Sequence, residues 1–359
     1  MSVVPMSKKC RRKALALIVV VYVLAALGTL AFALAFRSQI GLCQAQLLMD
    51  RIQQDEIALA ACTQACRLLS LDDPNVDSQE DIWSGWHALE MPQESTGRKL
   101  SGQVWWRLMD ESARINVNLA PLDVLSRMPG LDQAAVASIL DWIDKDDFPN
   151  PDGAENEYYA SLSYSYACRN GPLESLEELA FVKGITTEIY FGTRQAEPLE
   201  DLNDLALEQD RTTEEEEEGS VGLSELLTVY GNGKINLNTA LPGVLKALPF
   251  LSEAAVDEIL SKQQPSARKF TTLEDIEAND TFSTTDKIVL LQVAKFNSSL
   301  FRLQVRIQLE RMSSICEYAA ILERDGAEVR VLSWQRKLPH KSGNQDGATD
   351  PGQMAEFMD

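Results

Sequence analysis

At 359 residues and 45% hydrophobic content, the chain has room for a membrane segment and two compact modules with a sizeable core. Its charge is lopsided: 33 Lys+Arg against 54 Asp+Glu give −21, which argues against a phosphate-backbone partner and suits a binder of divalent cations. Two histidines, His87 and His340, and six scattered cysteines without a Cys-x-x-Cys argue against zinc or iron chemistry and outline no disulfide framework.

The basic stretch SKKCRRK precedes Ala14–Phe36, a run of 23 uncharged, mostly apolar residues. That length spans a hydrocarbon core of ~30 Å with some tilt. Lys8, Lys9, Arg11, Arg12 and Lys13 place the N-terminus in the cytoplasm and everything after Arg37 across the membrane. The run is longer than the apolar region of ~7–15 residues in a cleaved secretory signal. Leu42, Ala45, Leu48, Met49, Ile52, Ile57, Leu59 and Ala60 continue a helical face, so one long helix is predicted from Leu15 to Leu69. Cys62 and Cys66 sit one turn apart on it, a spacing seldom suited to a disulfide.

Asp72-Asp73-Pro74 ends that helix, and Leu71–Gly97 reads as loop. Gln103–Met109, QVWWRLM, is aromatic and β-branched and predicts a strand. A duplication follows. Ile115–Leu140 and Ile235–Leu260 align without a gap at a constant offset of 120 residues, sharing Asn116/Asn236, Asn118/Asn238, Leu125/Leu245 and Pro129/Pro249. Each copy is predicted as two short helices around a Pro-containing turn, a helix-hairpin-helix-like unit. PLESLEEL (Pro172–Leu179) is echoed by KFTTLEDI (Lys269–Ile276), so the duplication exceeds the hairpin.

Between hairpin and echo in the first copy, Asp141, Asp144, Asp146, Asp147, Asp152, Glu155 and Glu157 fall within seventeen residues, beside Pro149, Pro151 and Gly153. A hard cation such as Ca²⁺ wants six to eight oxygens from a bendable loop. The spacing is not that of an EF-hand, and a solvated acidic loop is the competing reading. The second copy has only SKQQPSARK at this place, so one unit of the two is expected to hold metal. Glu197–Gly219, with the run Glu214–Glu218, reads as an acidic linker. Helices are expected to about Phe296. Leu300–Glu310, Ile315–Arg324 and Ala327–Leu338 then alternate apolar and polar residues, with Asp325-Gly326 as a hairpin signal, and predict a three-stranded antiparallel meander. Residues 340–359 read as a disordered tail.

The basic leader and apolar run resemble a class III, type IV pilin-like signal, which implies cleavage after Ala14 and a mature start at Leu15. Pilins usually carry Gly before the cut and Glu as the fifth mature residue. Here these are Ala14 and Val19, and one pilin-like subfamily lacks the Glu. Together with INVN–PLDVLSRMPGLD, GAENEYY, NGPLESLEELAFVKGI and the closing VRVLSWQR, the chain resembles the type II secretion system protein K family, the large minor pseudopilins. The resemblance implies an α+β fold: a transmembrane helix (15–36) after a leader (1–14), and a pilin-like helix-on-antiparallel-sheet body (37–115 and 297–339). A large all-α domain (116–296) would be inserted between strands. It also implies a place at the tip of a pseudopilus, which the chain would initiate and cap, aiding export of folded proteins; no nucleophile–base pair, phosphate loop or zinc motif accompanies the acid pairs, so no enzyme is expected. Implied partners are the I-type and J-type minor pseudopilins, the major pseudopilin, prepilin peptidase and the inner membrane, with the body periplasmic and no nucleic acid. Calcium is the implied cofactor, carried over to Asp141, Asp144, Asp146, Asp152, Glu155 and Glu157. Two alternatives remain open: a membrane-anchored helix-hairpin-helix nucleic-acid binder of DNA-uptake type, and a minor pilin at the tip of a type IV pilus.

Overall fold

The computed structural model describes residues 8–90, 102–192, 221–309 and 315–337. The predicted linker 197–219 and tail 340–359 lie outside the described residues. The chain divides into two compact units, Met1–Ile57 and Ala58–Asp359.

The first unit is helical throughout its described part and belongs to α1 (Lys8–Leu71), which ends in the second unit. Its apolar residues have no core to enter: Val19 is 54% exposed, Tyr22 77% and Phe32 74%. A helix apolar on every side is the signature of a membrane span. Among the described residues, this is the one helix long and apolar enough to cross a membrane, by length and composition.

In the second unit the end of α1 behaves differently. Ala58, Ala61, Cys62, Ala65 and Leu69 recur at helical spacing and are all buried. The helix stops where Asp72 turns the chain, its Oδ2 accepting from Trp83 Nε1 at 3.0 Å. The strands are β1 (Trp86–Ala88), β2 (Gly102–Asp110), β7 (Leu300–Leu309), β8 (Cys316–Asp325) and β9 (Glu328–Lys337). They form an antiparallel sheet ordered β1-β2-β7-β8-β9. Period-two alternation sets the pairing register: Trp106 opposes Val305 and Leu108 opposes Leu303, all buried. The meander thus forms where the alternation placed it, whereas three-residue β1 falls in the stretch read as loop.

β2 and β7 are neighbours in the sheet although 189 residues separate Asp110 from Leu300 less the ends, and the described part of that stretch builds a second core running from Ile115 to Phe296. Its described elements are β3 (Ile115–Asn116), α2 (Leu122–Leu125), α3 (Gln133–Ile143), α4 (Asn156–Ala160), a 3-10 helix (Leu176–Phe181), α5 (Thr187–Phe191), α6 (Leu223–Leu226), β4 (Leu227–Thr228), β5 (Ile235–Asn236), α7 (Pro242–Ala247), α8 (Glu253–Gln263), α9 (Leu273–Glu277), α10 (Thr284–Val293) and β6 (Ala294–Lys295). The expectation of a purely helical stretch needs correcting. β3 pairs in parallel with β4, and β5 with β6, so each copy of the duplication is closed by a two-residue ladder. Two residues per strand leave too little alternation for a sequence pattern to reveal.

The shared asparagines explain the repeat. Asn118 donates from Nδ2 to Leu173 O at 3.0 Å and accepts from Leu173 N at 2.8 Å. Asn238 does the same with Phe270, at 2.8 and 3.0 Å. Each side chain ties its hairpin to the capped turn of the echo motif, whose capping boxes are Ser175–Glu178 and Thr272–Asp275. Asn116 and Asn236 accept from the backbone N–H of Asn118 and Asn238 at 3.0 and 3.1 Å. The repeat offset falls from 120 at the hairpins to 97 at Leu173/Phe270, so the first copy carries 23 residues that the second lacks. Those extra residues form the acidic loop after α3.

Candidate metal centre

The loop hangs from the C-terminal end of α3. Asp132 caps the helix by accepting from Ala135 N, and Ile139 and Trp142 anchor its inner face in the core. Asp141, between them in the last turn of α3, is buried completely, at 0% exposure. Asp141 Oδ1 accepts from Asn150 N at 3.0 Å and Asn150 Nδ2 at 2.6 Å, which fastens the returning loop to the helix. Gly153 then passes so close that a Cβ there would lie 2.0 Å from Asp141 Oδ2. Glu155, next on the loop and just before α4, is 3% exposed.

The geometry brings Asp141, Asp144 and Glu155 together: one carboxylate oxygen from each lies within 4.8 Å of the others. Asp141 Oδ2 and both Glu155 oxygens are buried without a hydrogen-bond partner. A buried carboxylate oxygen with no donor is costly, and three carboxylates without a counter-charge repel one another. The electrostatics agree. Burial, then Asp141 and Asp144, push the Glu155 carboxyl up to about 7, and burial also raises Asp144.

These residues fit a hard divalent cation. Oxygens bound to Ca²⁺ at ~2.4 Å lie no more than ~4.8 Å apart, and carboxylates are its preferred donors. The orphaned oxygens supply the donor set and Gly153 the close backbone approach. The other three candidates lie outside the cluster. Asp146 is exposed and uses Oδ1 to accept from Phe148 N at 2.9 Å; Asp152 is exposed at φ 65°, and Glu157 is exposed on α4. Linear spacing could not separate them, because selection depends on which side chains point back toward α3. Asn150 and Gly153 were missed as site residues, although an Asn and a Gly inside an acidic loop signal a turn that returns on itself. In the second copy the positions of Asp141 and Asp144 are held by Ser261 and Gln264.

A second acidic group, Asp72, Asp77 and Asp81, has comparable spacing. It already holds a cation: Arg324 Nη2 donates to both Asp77 oxygens at 2.7 and 2.5 Å, and Nη1 to Asp72 at 3.2 Å. Nearby, Asp110 Oδ2 accepts from Thr239 and Ser298 hydroxyls at 2.6 Å each and from Asn236 Nδ2 at 3.0 Å. This is a buried structural node. Ala14 and Leu15, between which cleavage is expected, lie within α1, as does Val19.

Residues 112–195 match the family model described as type II secretion system protein K. Over this stretch the chain is similar to type II secretion system protein K. The matched stretch contains the whole carboxylate loop and the first hairpin. The type II secretion system protein K of Klebsiella pneumoniae is 27% identical over 206 residues, which is 50% of this chain and 60% of that relative. That of Pectobacterium carotovorum subsp. carotovorum is 25% identical over 204 residues, 51% of this chain and 61% of the relative. The chain therefore spans about 60% of the length of these protein K relatives. In fold it is similar to a chain of the crystallised GspK-GspI-GspJ complex from the enterotoxigenic Escherichia coli type 2 secretion system. The TM-score is 0.60 at 19% identity, covering 82% of this chain and 99% of that one. The resemblance to protein K read from the sequence motifs is thus matched by family model, curated relatives and fold.

Proposed function

We propose that the chain is a minor pseudopilin of a type II secretion system, held in the inner membrane by α1 with its N-terminus cytoplasmic and its body periplasmic. It joins I-type and J-type minor pseudopilins at the tip of the pseudopilus, which it initiates and caps, aiding export of folded proteins across the outer membrane. The observation that carries this reading is the match of residues 112–195 to the protein K family model, in a stretch set between β2 and β7 of a sheet that follows a long apolar N-terminal helix. A pilin-like helix packs into a filament through its apolar surface, and the helical stretch between β2 and β7 adds bulk that a shaft subunit has no room for. Val19 stands where most pilins have the Glu that pairs with a neighbour's N-terminal amine, so the subunit has no group to engage one further out. The role is structural, not enzymatic.

Calcium belongs to the same reading. Asp141, Asp144 and Glu155 would hold it, and when bound it supplies the counter-charge that fixes the loop against α3. The chain's own residues do the rest: Asn150 fastens the loop to Asp141, and Asp144 closes the helix end. The acidic surface and the hairpin turns Pro129-Gly130 and Pro249-Phe250, with few bases nearby, do not favour nucleic acid.

Co-expression of the full chain with the I-type and J-type pseudopilins of its own system, followed by co-purification from membranes, tests the assembly. A stable complex and immunogold labelling confined to filament ends are expected. Labelling along filament shafts would refute the tip assignment. Val19→Glu should be tolerated and should leave the protein at the tip; if it moved into the shaft, the β2–β7 stretch would not act as a cap.

A further inference from the structure

The three carboxylates do not account for all the unpaired oxygen in this region. Among the described residues, the buried side-chain oxygens without a hydrogen-bond partner are Asp141 Oδ2, both oxygens of Glu155 and Asn170 Oδ1. The first three belong to the cluster, on residues that are 0% and 3% exposed. The fourth lies beyond α4, outside the acidic loop, and is uncharged. Its orientation is fixed by the other half of the amide. Asn170 Nδ2 donates to Asp146 O at 2.8 Å and to Asp147 Oδ1 at 2.9 Å. Both are acceptors, so turning the amide over would set its oxygen against two others, and Oδ1 is held on the opposite side.

The backbone around Asn170 follows the end of α3 and the start of α4. Gly171 N donates to Trp142 O at 3.3 Å, Cys168 Sγ to Asp141 O at 3.9 Å, and Cys168 N to Asn156 Oδ1 at 3.2 Å. The segment 168–171 therefore touches Asp141 itself and the residue next to Glu155. The duplication supplies a comparison. Counted back from the matched pair Leu173/Phe270, the second copy has Ala267 where the first has Asn170, alongside Ser261 and Gln264 for Asp141 and Asp144. The amide oxygen occurs at this position only in the copy that has the carboxylates.

A hard cation takes about six to eight oxygens, and neutral amide oxygens serve beside carboxylates. We infer that Asn170 Oδ1 is a further donor to the cation held by Asp141, Asp144 and Glu155, contributed from outside the acidic loop. The inference rests on the calcium reading of that cluster. A neutral donor adds coordination without adding to the repulsion among three carboxylates. It also ties the cation to the segment leading into Leu173, and so to Asn118 of the first hairpin.

Terbium, a hard ion that luminesces when a nearby indole is excited, tests this on the full chain in detergent. Trp142 adjoins Asp141 and serves as the sensitiser. Lifetimes in H₂O and D₂O count the water molecules on the bound ion, and Glu155→Gln supplies the signal from the rest of the acidic surface. Asn170 takes φ 48°, so Asn170→Gly suits the backbone while removing the amide. Asn170→Asp keeps an oxygen but cannot donate to Asp146 and Asp147. Half-saturation of Asn170→Gly should need roughly tenfold more terbium or higher, and its bound ion should carry about one more water than in wild type. Asn170→Asp should match wild type in both. Unchanged binding by Asn170→Gly, or weaker binding without the extra water, overturns the inference and leaves the carboxylate site standing. So does an Asn170→Asp protein as impaired as Asn170→Gly, because the amide would then act only through its N–H groups. A wild-type signal no stronger than that of Glu155→Gln would remove the cation site itself, and the inference with it.

Discussion

Adding calcium should stabilise the second unit through three carboxylates and not through six. At a hundredfold excess over Kd, a ligand that binds only the folded state contributes about 2.7 kcal/mol. With a transition that moves by roughly 2–4 °C per kcal/mol for a domain of 150–250 residues, the melting temperature should rise by about 5–10 °C between EGTA and saturating calcium. The partnerless oxygens of Asp141 and Glu155 indicate where that free energy arises. Asp141→Asn and Glu155→Gln should therefore abolish the shift. Without calcium, Glu155→Gln should melt at or above wild type, because it removes a buried charge from beside Asp141 and Asp144. Asp146→Asn, Asp152→Asn and Glu157→Gln should keep the full shift, since those groups lie outside the cluster. Differential scanning fluorimetry of the full chain in detergent reads all of these. A wild-type transition indifferent to calcium, or a shift that survives Glu155→Gln, would refute the reasoning.

Three further outcomes follow from packing. Asn238→Ala should cost about 2–4 kcal/mol, because it strands the buried N–H and C=O of Phe270, and Asn118→Ala at its less buried site should cost less; urea unfolding followed by tryptophan fluorescence distinguishes them. Asp77→Ala should cost roughly 3–5 kcal/mol by leaving Arg324, whose side chain is 1% exposed, without its main partner, and Asp77→Ala with Arg324→Leu should recover part of that in the same assay. Glu111 is pushed up by burial but pulled further down by Arg114, Arg302 and Thr228, so its folded value lies below its unfolded one. Its contribution is then fully present above the unfolded carboxyl range and is lost as pH falls through the folded value. Glu111→Gln should flatten the acid limb of a stability–pH profile, and an unchanged limb would show that other groups set it.

Local pattern made much of this protein legible. The unbroken apolar run predicted α1 because a membrane span needs no tertiary partner, and the alternation from Leu300 to Leu338 predicted β7, β8 and β9 because one buried face imposes a period of two. The exact spacing of the repeated asparagines announced the duplicated frame, since each must reach a backbone pair in its own echo motif. What only the tertiary structure decided is long-range. Ladders of two residues pair positions more than fifty apart, as Ile115 with Leu227 and Ile235 with Ala294, and leave no trace in a local pattern. Which carboxylates converge depended on Asn150 and Gly153 folding the loop back onto α3, a choice among six chemically equivalent acids. The sequence by itself marked the loop as a cluster of carboxylates, equally readable as solvated acid; the path of the backbone decided that Asp141, Asp144 and Glu155 come together while Asp146, Asp152 and Glu157 are exposed.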